Sequence, residues 1–423
     1  MKRNEFLRTA AGVLAGSVIG SRAFGGTKKE VWPAIEPNDE QFWNFVRSQF
    51  PLTHDRAYFN TGGLGASPYP VIDAVKEKMD ELEKISETGH SEKLWTEMKT
   101  DMSAFLGCDI DELAFMRNTT EGINVVANGL PLKEGDEFIT STHEHVANEL
   151  TWLGLEKRKG VVAKFFIPST QSAQENVDRI ERLITRRTRV ISIPHATTTT
   201  GQILPIKEIS ALAKSKNIWL FVDGAQTAGM FPFNLHDLGC DAYATSGHKW
   251  LVGPKETGLL YVKKDMCDVI QAKFIGAYSD NGFDFQKGEM KLHPGAQRYE
   301  YGTVSIPLRV GLHASFKFLQ HIGMENVWKR DKALSNYLFE QLIAIPYVQV
   351  VSPHSDTERS AILSVKHEKM TYLELQAHLN KYKMRTRGVS EGGVDALRFS
   401  CHIYNTFDEV NRLLEGVRTA WKA

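Results

Sequence analysis

From residue 57 to about residue 300 the chain alternates short β-rich runs with stretches of helical periodicity, and this alternation limits the fold more than any single motif does. It is the pattern of an α/β domain with a largely parallel sheet and helices on its faces. Strand candidates fall at 57–60, 137–141, 161–167, 189–194, 218–223, 241–246 and 258–262. The clearest helix is expected at 205–216, where Pro205 sits at the position a helix start tolerates and Asn217 supplies a stop. After about residue 300 the pattern changes to consecutive helices at 307–322 and 325–343, then a smaller mixture of strand and helix ending in a helix from Thr406. For 423 residues this implies more than one domain. The expected division is an N-terminal segment at 1–26, an arm at 27–60, a large domain at 61–300 with a mostly parallel seven-stranded sheet, and a smaller C-terminal α/β domain at 301–423.

Charge and cysteine usage exclude several function classes. Lys plus Arg and Asp plus Glu are both 51, so no basic excess is available to neutralise a phosphate backbone, and nucleic acid is not an expected partner. The four cysteines show no C-x-x-C spacing, which removes zinc-ribbon and thioredoxin-type readings. Past residue 30 there is no run of the roughly 20 apolar residues that crosses a bilayer, so the mature form is expected to lack a membrane segment. At the N-terminus, Lys2 and Arg3 precede a mild apolar stretch at 9–20 and small residues at 23–26, the layout of a signal peptide. Arg3 to Arg8 resembles a twin-arginine export signal with Asn4 in place of the second arginine. Export, periplasmic in a bacterium, is the expectation, with a cytoplasmic location if that signal does not function.

Several nucleotide, hydrolase and metal motifs fail in detail. The glycine-rich loop at 61–68 lies between a strand and a helix, but Pro68 stands where a dinucleotide fingerprint needs its third glycine. No G-x-x-x-x-G-K-[ST] and no G-x-S-x-G occurs. His143 and His145 flank Glu144 without a third metal ligand in view, so no metal is expected.

The informative stretches are the strand 218–223 ending in Asp223-Gly224-Ala225-Gln226, and the strand that leads into Ser246-Gly247-His248-Lys249. Strand ends are where open α/β sheets bind ligands. A carboxylate, a hydroxyl, an imidazole and an amine delivered to one edge suit an aldehyde cofactor with a phosphate tail: the amine forms a Schiff base and the carboxylate keeps a pyridine nitrogen protonated. Thr119 and Thr120 open an expected helix, whose free N–H groups attract an anion. Singly, each residue has an ordinary role: Asp223 a turn cap, Lys249 a solvated amine, the threonines an N-cap, His145 a core histidine. Their joint order along the strands outweighs those roles.

At these residues the chain resembles the class V aminotransferase family, within the fold type I pyridoxal-phosphate (PLP) enzymes, a family that includes cysteine desulfurases and isopenicillin N epimerase. The resemblance runs from about Tyr58 to the C-terminus. It implies that Lys249 holds PLP and moves the substrate α-proton, that Asp223 pairs with the pyridine nitrogen and Gln226 with the phenolic oxygen, and that His145 stacks on the ring. It further implies that Thr119, Thr120, Ser246 and His248 hold the phosphate, and that Thr303 reaches the phosphate of a neighbouring subunit in a homodimer with shared sites. Arg398 matches the arginine that grips the substrate carboxylate, and Thr198 stands where desulfurases carry an asparagine.

The reaction is less constrained. Residues 387–395 hold no cysteine, so the nucleophile of a persulfide-forming desulfurase is missing. The blocks around His248-Lys249-Trp250 and His402-Ile403-Tyr404-Asn405-Thr406 look closest to the isopenicillin N epimerase-like branch. The first expectation is therefore aminotransferase or epimerase chemistry at the α-carbon of an amino acid or a peptide-linked amino group. The alternative is a C–S lyase with desulfurase-like β-elimination. A non-catalytic PLP-fold binding protein is the alternative of another class, and the retention of both Lys249 and Asp223 speaks against it.

Overall fold

The computed structural model describes Trp32 and residues 35–420, so the export segment expected at 1–26 lies outside the described residues. Residues 37–420 lie within one compact unit. Its strands, numbered in chain order, are β1 Ala57–Tyr58, β2 Leu113–Met116, β3 Glu137–Ser141, β4 Val162–Phe166, β5 Thr188–Pro194, β6 Trp219–Asp223, β7 Ala242–Ser246, β8 Gly258–Val262, β9 Asp280–Asp284, β10 Glu289–Leu292, β11 Val348–Val350, β12 Ile362–His367, β13 Met384–Arg385, β14 Arg387–Val389 and β15 Ala396–Ser400.

Seven of them form the central sheet in the order β2-β8-β7-β6-β5-β3-β4. From β4 through β7 every pairing is parallel. Only β8 is antiparallel to both neighbours, which returns β2 to the majority direction. Helices cover the faces, so central strands such as β6 read as near-continuous apolar runs instead of alternating ones. The helix Ile206–Ser215 begins after Pro205, and Asn217 then takes a left-handed φ of 54° beyond its end.

The mostly parallel seven-stranded sheet stands, but its membership differs from the sequence expectation. The run at 57–60 is not part of it: β1 pairs in parallel with β13 in the C-terminal part of the chain. Its place is taken by β2, four buried residues with no alternation to announce them. A second sheet, β11-β12-β15-β14, is antiparallel throughout. It packs on the helices Met324–Ile343, Tyr372–Lys381 and Phe407–Thr419 around a core that includes Phe59, Leu363, Leu397 and Phe399. No helix among the described residues is long and apolar enough to cross a membrane.

Candidate active site

Because β2, β3, β5, β6 and β7 run the same way, their carboxyl ends share one edge of the sheet, the edge where such folds place ligands. Asp223 closes β6 and Ser246 closes β7, while the turn after β3 carries His145 and the helix Thr119–Gly129 follows β2. Thr119, Thr120, His145, Asp223, Ser246, His248 and Lys249 are brought together on the wall of a single cavity of about 150 Å³.

One end of this cavity is a set of neutral donors. Asn118 caps the helix by accepting from the Glu121 N–H at 2.9 Å, which leaves the first-turn N–H groups of Thr119 and Thr120 at the cavity. Thr119 N donates to Ser246 Oγ at 3.2 Å, and the two hydroxyls lie 2.6 Å apart, so they are already oriented together. The buried His248 Nδ1 has no partner. Burial lowers the pKa of the His248 ring to about 4, so the imidazole is neutral at physiological pH.

The middle of the cavity holds the reactive pair. Lys249 is 7% exposed, and burial lowers its ammonium pKa to about 8 against the opposing pull of Asp223. Burial likewise raises the Asp223 carboxyl above the usual range, while Lys249 and the Ala225 N–H at 2.9 Å favour its ionised form. His145 caps the helix Val146–Lys159 by accepting the Ala147 N–H at 3.2 Å, and burial brings its pKa down to about 4. Beneath it, fully buried Glu144 accepts from Ser141 Oγ at 2.6 Å and from Asn148 Nδ2 at 2.9 Å, and its pKa is pushed up to about 8. This network fixes the turn that presents the imidazole.

The remaining expected residues are placed elsewhere. Gln226 stands behind Gly62: its Nε2 donates to the Gly62 carbonyl at 2.8 Å, and its Oε1 accepts from Trp250 Nε1 at 2.9 Å, so it is not on the cavity wall. Arg398 is wholly buried and donates to Thr198 O and Oγ1 at 2.9 and 2.8 Å and to Asn60 Oδ1 at 3.2 Å. Thr198 thus supports an arginine instead of facing the cavity. Thr303 is exposed and lines a different cavity of about 120 Å³ beside Arg117 and Tyr301.

Sequence reasoning missed Arg387, Asn118, Gly62 and Gly63, all of which line the cavity. The glycine-rich loop at 61–68 was a signal, although not of the dinucleotide type. Gly65 N donates to the His248 carbonyl at 2.7 Å, and a Cβ on Gly65 would stand 2.0 Å from the Lys249 carbonyl oxygen. Only glycine permits that approach, which presses the loop against the peptide bearing the lysine.

Fold and site together define a PLP-dependent enzyme. The chain belongs to the aminotransferase class-V family, whose pattern matches residues 65–413. It is 26% identical over 388 residues to a probable cysteine desulfurase of Pyrococcus abyssi, covering 87% of this chain and 95% of that one. It is 28% identical over 401 residues to a probable cysteine desulfurase of Halobacterium salinarum, covering 89% and 95%. Among solved structures, C-DES, in a lysine-to-alanine variant with glycine covalently linked to its PLP cofactor, superposes with a TM-score of 0.80 at 26% identity, covering 88% of this chain and 98% of that one. A second structure is described as the cystine C–S lyase C-DES with its reaction product cysteine persulfide, at the same TM-score of 0.80 and 26% identity, covering 88% and 99%. The cofactor is pyridoxal 5'-phosphate. The residues present fit it: a buried amine for the aldehyde, a carboxylate near that amine, and a helix N-terminus, two paired hydroxyls and an orphaned imidazole nitrogen for the phosphate.

Proposed function

We propose that this chain is a PLP-dependent carbon–sulfur lyase that takes the α-proton from a sulfur-bearing amino acid and expels the β-sulfur. When bound, PLP supplies an aldehyde for the substrate amine and a ring that accepts electrons. Lys249 Nζ, with its lowered pKa of about 8, takes the proton from Cα and returns one to the departing sulfur. With one water consumed, an S-substituted cysteine yields a thiol, pyruvate and ammonium. His145 and the Asp223 side chain border the same cavity and orient the reacting groups.

The observation that carries this reading is a cavity whose base is Lys249 and whose described wall contains no thiol. Cys401, the cysteine nearest Arg398 in sequence, is buried in the C-terminal core, where burial pushes its thiol pKa up. On this reading sulfur leaves as product and is not taken onto a cysteine of the protein. The relatives named as cysteine desulfurases, and the structure described as a cystine C–S lyase, support this over amino-group transfer or epimerisation.

The test is release of thiol or sulfide together with pyruvate when the PLP-loaded protein meets L-cysteine, L-cystine and S-methyl-L-cysteine. Lys249→Ala is expected to lose the visible cofactor band that depends on the lysine and to lower turnover by roughly a thousand-fold, the scale of a positioned general base. Amino-group transfer to a keto acid without pyruvate release would assign the aminotransferase reading instead.

A homodimer belongs to this proposal. Thr303 lies outside its own chain's cavity, and the hairpin β9–β10 exposes Phe283 and Phe285 at 71% and 92%, apolar surface of the kind a second subunit covers. Light scattering of the holoenzyme tests it. Export through residues 1–26 is proposed on the sequence pattern alone, with cell fractionation as its test.

A further inference from the structure

The four carbonyls from Gly247 to Trp250, in the turn that carries Lys249, are all held. Gly253 N donates to the Gly247 carbonyl at 2.8 Å, Gly65 N to that of His248 at 2.7 Å, and Val252 N to that of Lys249 at 3.1 Å. The fourth, on Trp250, faces His402 Nε2 at 3.0 Å, a side chain 152 residues further along the chain. The turn needs such holding, because Val252 takes φ of 50°, a region costly for a β-branched residue. Gly229 closes on the same peptide: a Cβ there would stand 2.4 Å from the Trp250 carbonyl oxygen.

His402 is itself fixed from behind. Its Nδ1 lies 2.8 Å from Oδ2 of Asp331, on the helix Met324–Ile343, and neither side chain is exposed. A carbonyl oxygen only accepts, as does an ionised carboxylate, whereas a neutral imidazole carries a single N–H. Making both bonds therefore takes two protons on the pair: an imidazolium beside a carboxylate, or a neutral ring beside a carboxylic acid. In either form Nε2–H donates to the Trp250 carbonyl.

We propose that His402 is a positioning residue for Lys249: held by Asp331, it clamps the Trp250 carbonyl and so fixes the direction from which the lysine amine approaches its reaction partner. Lys249 as the reacting amine rests on the reading above. The clamp acts through the peptide that follows the lysine, since His402 is wholly buried and stands off the cavity wall. Its effect is one of aim: a reacting group displaced by about 1 Å loses on the order of a hundred-fold in rate.

The experiment compares two amide substitutions of the full chain. His402→Gln puts an N–H donor where Nε2 stands and gives up Asp331; His402→Asn puts one where Nδ1 stands and gives up the Trp250 carbonyl. Two quantities are read on each: the denaturant midpoint of the apoprotein, and the rate at which the visible cofactor band appears when the apoprotein is mixed with PLP. His402→Asn is expected to slow the band by about 10- to 100-fold, while His402→Gln stays within about 3-fold of wild type. The midpoints should fall in the opposite order, because His402→Gln leaves the buried Asp331 unpaired. A purely structural pair would rank the two variants alike in both measurements. That ranking, or wild-type rates in both variants, overturns the proposal. With an amino acid that turns over, His402→Asn should lower kcat by about 10- to 100-fold and change KM by less than about 3-fold, the split of an interaction that serves the reacting geometry and not binding. Lys249→Ala serves as the control for the reading beneath: if its band appears at the wild-type rate, the lysine assignment falls, a result distinct from any ranking of the His402 variants.

Discussion

The two ends of the cavity are lined by different kinds of polar group. At the Thr119 end the donors are neutral: hydroxyls 2.6 Å apart, helix N–H groups and an uncharged imidazole. At the Arg387 end the wall carries a cation paired with Glu391, and a second guanidinium, Arg398, lies opposite it across the strand pair and behind the wall. Neutral donors suit a resident that arrives once and stays, because an empty neutral cradle costs little to maintain. The supports differ as well. The first end is built from hydrogen bonds between neighbouring loops. The second is backed by a relay from Asp331 Oδ2 to His402 Nδ1 at 2.8 Å, His402 Nε2 to the Trp250 carbonyl at 3.0 Å, Trp250 to Gln226 at 2.9 Å, and Gln226 to Thr198 at 3.3 Å.

The strongest way to break this contrast is to remove that relay. His402→Ala leaves the buried Asp331 carboxyl without its imidazole, and a loss of about 3–5 kcal/mol in denaturant unfolding is expected, the usual penalty for breaking a buried pair. Ser246→Ala acts only on the neutral end: a roughly 10-fold higher PLP dissociation constant is expected on titrating the apoprotein with cofactor, with the denaturant midpoint little changed.

Two pH dependences sharpen the picture further. His143, His145 and His248 are held to about 4 and His195 to about 3 by burial, against about 6.5 for a free imidazole. The unfolded chain therefore binds more protons below pH 6.5, so stability present above that pH is lost progressively as pH falls toward 4. Melting temperatures of the apoprotein from pH 7 to pH 4 should decline accordingly. The smallest effect concerns loading. Condensation with PLP needs the neutral amine, so the rate at which the cofactor band appears should rise through a midpoint near pH 8, where Lys249 sheds its proton, and not near 10.5.

Legibility in the sequence followed locality. Asp223 and Lys249 were visible because Asp223 ends a strand and Lys249 lies three residues past the end of another, each strand announced by its own residues, and Thr119 because Asn118 and Glu121 form a cap within four residues. The helices after residue 300 were placed within a residue or so for the same reason. Arg387 was not visible: it opens a three-residue strand in a polar run, and only its pairing with β15 gives it meaning. Strand β2 was missed because its evidence is the distant partner β8. Gln226 and Thr198 were identified as site residues, yet neither is on the cavity wall: Gln226 is bonded to the carbonyl of Gly62, from a loop far upstream, and Thr198 to Gln226 and Arg398.

That loop has a consequence for how the protein is made. Ala57 pairs with Met384, Asn60 bridges to Ser400, Thr61 Oγ1 donates to the Ser400 carbonyl at 3.3 Å, and Asn405 Nδ2 donates to the Tyr58 carbonyl at 3.0 Å. One wall of the cavity is thus among the first segments to leave the ribosome, yet its anchors are among the last. A nascent chain stopped before residue 384 has its lysine and its strand-end aspartate but no closed chamber around them. The cavity wall at 57–63 therefore depends on contacts that form only once residues 384–405 have been made.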